Sequence, residues 1–256
     1  MTSLTLTPLQ HIPLIRRDDN LADIVLKSLP KNNLQLQDND ILVFAQKIIS
    51  KAEGRQVNLN SVVPSARANK IAEEIEKDAR LIELILNESN EVLRTRPGTI
   101  VVEHKLGFVC ANAGIDHSNV AGDGSSDEEW VLLLPENPDR SAGNLRTILE
   151  KETGKHIGIL IIDSHGRAWR NGTAGTTIGL SGIPGLIDRR GDQDLFGYVL
   201  KNTVIGVADE LAAAASLMMG QTNEGTPIVH ARGFPYPLQE GSLKDIVREK
   251  KTDLFR

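Results

Sequence analysis

The residues of this chain best suited to chemistry are hard oxygen donors flanked by cations. Asp163 and Ser164 stand side by side directly after an apolar run, Gly158 to Ile162, and His165, Arg167, Arg170 and Asn171 follow between glycines at 166 and 172. A carboxylate beside a hydroxyl at a strand end suits a divalent cation, and guanidinium forks beyond it suit phosphoryl oxygens. A second group, Asp116-His-Ser-Asn119, comes just after Gly114. Asp116 has two readings, as a ligand or as an Asx turn bonded to its own backbone. Lys47 and Lys51 are four apart and share a face if their segment is helical. That face is either a solvated surface or a phosphate-binding pair. Gln221 and Glu224 add oxygen donors on a polar loop. Together these groups suit magnesium or manganese holding a nucleoside triphosphate.

Other chemistries lack their residues. There is no G-x-x-x-x-G-K-[ST] phosphate loop and no G-x-G-x-x-G dinucleotide loop. No G-x-S-x-G elbow offers a hydrolytic serine. His11, His104, His117, His156, His165 and His230 are scattered, without the H-E-x-x-H pairing of a zinc site. Taken singly, each reads as structural rather than catalytic.

The elements that must position these groups follow from pattern. Strands are expected at Leu4 to Pro8, Ile41 to Ala45, Thr99 to Val102 with Phe108 to Ala111 as a hairpin, Trp130 to Leu134, Gly158 to Ile162, Thr176 to Leu180 and Pro227 to Ala231. The polar residues after Asp163 read as a loop, as do Asp188 to Asp194 and the acidic, flexible-looking Gly122 to Glu129. Asn20 caps a helix that Pro30 ends. Pro64 opens another, Asp78 caps a third, and Asn137-Pro138 starts a fourth that Gly154 closes. A long helix is expected from Lys201 to Met219, stopped by Gly220, and a short one from Ser242. Strands and helices mix without strict alternation, which predicts an α+β fold with a mixed sheet rather than a Rossmann or P-loop arrangement.

Bulk properties narrow the partners. The chain has 256 residues, 40% hydrophobic and 25% charged, with a net charge of -5. A mildly acidic chain with 4% aromatics offers no general electrostatic or stacking case for nucleic acid. Cys110 is the single cysteine, which excludes an internal disulfide and fits a reducing, cytoplasmic setting. No signal-peptide pattern and no apolar run of membrane-spanning length is read, so no membrane partner is expected.

Five segments then carry a resemblance: KIISKAEGR at 47–55, GFVCANAGIDHSN at 107–119, LLLPENPDRSA at 132–142, IDSHGRAWRNG at 162–172 and VADELAAAASLMMGQ at 207–221. In order and spacing they resemble the coenzyme F420-0:L-glutamate ligases (F420 gamma-glutamyl ligases), over about residues 6–233. The resemblance implies one ligase domain over 1–256, with 234–256 as a tail and no C-terminal reductase domain. It also implies a family-specific fold and an intertwined homodimer. The implied reaction is GTP-dependent. The F420-0 carboxylate is phosphorylated, and L-glutamate attacks the acyl phosphate to give an amide, GDP and phosphate; further γ-linked additions are left open. Two magnesium or manganese ions per site, aided by potassium, are implied. By motif, Asp116 and Asp163 hold one ion, and Ser164 and Gln221 the second. The GTP site is implied at Ile12, Pro13, Leu14, Ile15, Gln46, Lys47, Lys51, Asn119, Met219, Gly220, Gln221, Thr222, Asn223, Glu224, Gly225 and Thr226. Two positions depart from the pattern: Ser164 stands where threonine is usual, and Gln221 where the family can have glutamate. A neutral amide binds a cation less strongly, so the second ion is expected either to be held more weakly or to lean on Glu224. Two other readings are a glutamate ligase for another carboxylated acceptor and a non-catalytic nucleotide-binding module.

Overall fold

The computed structural model describes residues 3–120 and 129–254. In chain order it contains β1 (Thr5–Pro8), α1 (Leu21–Lys31), β2 (Ile41–Ala45), α2 (Gln46–Ala52), β3 (Gln56–Asn58), α3 (Ala66–Ile75), α4 (Ala79–Asn87), β4 (Ser89–Arg96), β5 (Thr99–His104), β6 (Val109–Ala111) and β7 (Trp130–Leu132). Then follow α5 (Pro138–Thr153), β8 (Gly158–Arg167), β9 (Arg170–Ser181), β10 (Ile187–Asp188), β11 (Val204–Ile205), α6 (Val207–Met219), β12 (Ile228–Arg232) and α7 (Leu243–Ile246).

The main sheet has the order β1-β12-β2-β8-β9. Only β2 and β8 run parallel; the other pairs are antiparallel. This is the mixed α+β arrangement expected, and it is not a Rossmann sheet. Both faces of the central strands are covered, which is why ILVFA and GILII read as unbroken apolar runs. Side chains alternate between the faces. Leu42, Phe44, Ile159 and Ile161 pack into one core with Leu21, Val25, Leu145 and Leu149 of α1 and α5. Ile41, Val43, Leu160 and Ile162 pack into the other with Ala208, Leu211, Ala212 and Ala215 of α6. The alanines let α6 lie close: a Cβ on Gly175 of β9 would fall 2.4 Å from the Ala212 carbonyl. A third core forms where α3 and α4 cover β4-β5-β6, with Ile75, Ile82, Ile85, Ile100 and Val102. Phe108 packs against this core and the α1/α5 core together.

Caps behave as their chemistry dictates. Asn20, Asp78 and Asn137 each accept a backbone N–H at a helix start, and Gly154 closes α5 in the left-handed conformation. Several expectations need correction. The polar stretch after Asp163 is not a loop: β8 continues to Arg167 and turns straight into β9, so the polar residues are the protruding end of a long hairpin. The helix expected from Lys201 starts at Val207, because Gly206 supplies the break and Val204–Ile205 pair as a strand with Ile187–Asp188. That pairing also takes Asp188 out of the expected loop. Pro30 lies inside the last turn of α1 rather than beyond it, and the helix ends one residue later at Lys31. Ser65, not Pro64, caps α3, and β7 stops at Leu132. The segment 122–128 of the expected acidic loop lies outside the described residues.

Candidate active site

Because β2 and β8 are parallel, their carboxyl ends open on the same side, with Ala45 opposite Ile162 in the register. Each chain then leaves the sheet carrying polar residues: Gln46, Lys47 and Lys51 on α2, Asp163 and Ser164 on the rest of β8. Three further segments close around these ends: Ile12 to Arg17, Cys110 to Val120 after β6, and Met219 to Pro227 between α6 and β12. They enclose a cavity of about 1260 Å³. The residues that the resemblance assigns to the site all line it: Ile12 to Ile15, Gln46, Lys47, Lys51, Asp116, Asn119, Asp163, Ser164 and the run Met219 to Thr226. Arg167 and Arg170 do not. They stand at the exposed hairpin tip, where Arg167 donates to the Asn171 carbonyl. A further arginine beyond the cavity, Arg189, is paired with Asp192 at 3.2 Å and lies over the Tyr236 ring.

The oxygen donors form two pairs. Asp116 is held in place by backbone bonds to Leu132, and its carboxylate is not spent on an Asx turn. Gln46 Nε2 donates to its Oδ2 at 2.7 Å, and Lys47 Nζ lies 3.3 Å from Oδ1. Asp163 lies close enough to Asp116 to raise the latter's pKa through like charge. On the α6 side of the sheet, Ser164 Oγ donates to Gln221 Oε1 at 2.8 Å, while Gln221 Nε2 donates to Ser216 Oγ at 2.9 Å. Asp163 and Ser164 are strand neighbours and face opposite ways, so each reaches a different partner. The Met219-to-Thr226 loop is shaped by its own bonds. Thr226 Oγ1 donates to the Met219 carbonyl at 3.0 Å, and Asn119 Nδ2 to the Thr222 carbonyl at 2.9 Å. Gly220 is required there, since its φ is +72° and a Cβ would collide with the Glu224 side chain. Glu224 Oε2 accepts the Thr222 N–H at 2.8 Å, and backbone N–H bonds of this loop hold its carboxyl below the usual range.

The charges are poised rather than neutralised. Burial pushes the Asp116 carboxyl up; Lys47 pulls it back and Asp163 pushes it further. Burial, then the neighbouring Lys47 charge, pushes the Lys51 ammonium down. Two crowded carboxylates call for a cation and two crowded ammoniums for an anion. The donors fit magnesium or manganese: carboxylate, hydroxyl and amide oxygens are hard ligands. Among the described residues no three His, Cys, Asp or Glu side chains gather into a ready ligand set. Ions at the two pairs would therefore complete their shells with oxygens from elsewhere, as phosphate-bound magnesium does.

Several lining residues escape a reading by residue type. Arg16 and Arg17 face the cavity, and their adjacency after Ile15 was the available signal. Ser118 accepts Lys47 Nζ at 2.7 Å. His165 Nε2 lies 3.1 Å from Asp163 Oδ2, a contact visible only once the loop is seen to be a strand with alternating faces.

Comparison with known proteins agrees over the chain. A family model described as F420-0:Gamma-glutamyl ligase matches residues 10–233. The chain is similar to a protein of Methanococcus maripaludis named coenzyme F420:L-glutamate ligase, 43% identical over 248 residues that cover 96% of this chain and 95% of that one. Proteins of the same name are similar in Methanothermobacter thermautotrophicus, 41% identical over 255 residues and 99% of both chains, and in Archaeoglobus fulgidus, 42% identical over 250 residues, 97% of this chain and 95% of that one.

Proposed function

The chain belongs to the F420-0:gamma-glutamyl ligase family, and from that premise we propose that it is a GTP-dependent ligase joining L-glutamate to the carboxylate of F420-0. The observation that carries this reading is the cavity itself. Loops far apart in sequence bring two carboxylates, a hydroxyl–amide pair and two lysines to the ends of the parallel strands.

In this reading Lys47 and Lys51 receive phosphate oxygens, which relieves their mutual repulsion. Asn119 stiffens the Met219-to-Thr226 loop against the nucleotide through its bond to the Thr222 carbonyl. Asp116 and Asp163 hold one divalent cation, and Ser164 with Gln221 a second, with Glu224 near the latter. Such ions, when bound, neutralise the charge that moves during phosphoryl transfer. The residues need only orient the F420-0 carboxylate in line with the γ-phosphate and exclude water, since that transfer is mainly positioning and electrostatics. The amine of glutamate then displaces phosphate from the acyl phosphate. Potassium as an auxiliary ion, a homodimeric assembly and a cytoplasmic location are parts of the same proposal. No helix among the described residues is long and apolar enough to cross a membrane.

The test is to incubate the protein with F420-0, GTP, manganese and glutamate and to weigh the products. A gain of one or more glutamyl units, with GDP release that needs both F420-0 and glutamate, is expected. Asp163→Ala should lower turnover about 100-fold or more with an unchanged melting temperature. GTP cleavage indifferent to F420-0, or full activity in that variant, would refute the assignment.

A further inference from the structure

We infer that His165 is a positioning residue: its imidazole holds the Asp163 carboxylate in the orientation that binds the cation. The inference rests on the cation reading given above. Since β8 continues through Arg167, alternation puts residues 163 and 165 on the same face of the hairpin. There His165 Nε2 lies 3.1 Å from Asp163 Oδ2, with the two side chains only 11% and 12% exposed. Nε2 is buried and has no other hydrogen-bond partner among the described residues, so the Asp163 oxygen beside it is the acceptor within its reach. The ring is not free to leave. Phe108 packs against it at 5.2 Å, tilted by 49°, and is itself stacked on His104 at 5.3 Å. His104 is pinned in turn by the Leu106 N–H donating to its Nδ1 at 3.0 Å.

This arrangement parallels the one at Asp116, whose carboxylate is oriented by Gln46 and Lys47. Each carboxylate thus has nitrogen partners at hand, Gln46 and Lys47 at the two oxygens of Asp116 and His165 at Oδ2 of Asp163. A carboxylate oriented before the ion arrives loses less freedom on binding, and partners of this kind are worth about 10- to 100-fold in metal affinity.

The test measures manganese binding directly, by electron paramagnetic resonance of free Mn²⁺ with GTP present, in the native protein, His165→Phe and His165→Gln. The phenylalanine variant keeps the ring packing on Phe108 and loses the nitrogen; the glutamine variant loses the ring and keeps an N–H donor. His165→Phe is expected to weaken Mn²⁺ binding about 10-fold or more, and His165→Gln to stay near the native affinity. The reverse order would mean that the ring serves only packing, and the inference fails. Equal affinity in all three proteins, or equal loss in both variants, overturns it as well. A native protein that binds no Mn²⁺ overturns the cation reading itself.

Discussion

Lys51 shows how a residue acquires a role that its spacing alone leaves open. By position it is one of two lysines on a short helix, and such pairs commonly face solvent. In the fold its helix follows directly from a buried strand, so the ammonium lines a cavity, and burial with Lys47 nearby makes its charge costly. An anionic ligand relieves that cost. Lys51→Met is therefore expected to raise the KM for GTP about 10-fold while kcat changes less, since a lost charge-assisted hydrogen bond is worth about 1.5–3 kcal/mol. Steady-state kinetics with GTP as the varied substrate checks it, and an unchanged KM would place Lys51 outside the nucleotide site. His165 illustrates the converse. A lone histidine carries little signal by type, and its contact to Asp163 depends on a strand that its polar neighbours concealed.

At the scale of elements, β12 brings the chain back from the Met219-to-Thr226 loop, so whatever anchors β12 also steadies that loop. The anchor is Asp40, 1% exposed, just before β2. Arg232 donates to both its oxygens at 2.8 and 2.7 Å, Gln37 donates a backbone N–H at 2.8 Å, and His230 Nε2 lies 2.8 Å away. Burial alone would raise the Asp40 pKa, but the bonds from Arg232 and Gln37 and the nearby His230 ring outweigh it and bring it to about 2. The folded pKa lies below the unfolded value near 3.9, so the stabilisation is present above that value and is lost as the pH falls toward 2. It amounts to on the order of 2 kcal/mol. Asp40→Asn should lower stability at neutral pH by on the order of 3 kcal/mol and flatten the loss between pH 4 and 2. Urea melts across that range measure both, and parallel pH profiles for the two proteins would contradict the account. Elements announced by caps or unbroken apolar runs were legible in the residues: Ile41–Ala45 and the starts at Asn20, Asp78 and Asn137. Those built from polar residues were not. β4, SNEVLRTR, is mostly polar and largely exposed, and nothing in its composition separates it from a loop. The end of β8 is hidden likewise, because it protrudes beyond the covered part of the sheet and needs no apolar face.

For the whole molecule, the mixed topology follows from which strands are apolar throughout. The site's membership was legible through short motifs, whereas its geometry was not, since the parallel β2–β8 contact that sets it joins segments over a hundred residues apart. The chain also exposes large apolar side chains away from the cavity. Leu195 and Phe196, between β10 and β11, are 98% and 95% exposed. Such a pair in water is a poor surface and a good contact. With the homodimer proposed above, sedimentation is expected to give a particle of two chains, and Leu195→Ser with Phe196→Ser to shift it toward one. A native protein sedimenting as a single chain at micromolar concentration would contradict the dimer.

The most direct measurement is anomalous scattering at the manganese edge from crystals grown with GTP and Mn²⁺. An ion is expected about 2.1 Å from a carboxylate oxygen of both Asp116 and Asp163, bridged to a phosphate. Manganese peaks that leave either carboxylate without an ion, or place the two on separate ions, would contradict a shared cation clamp.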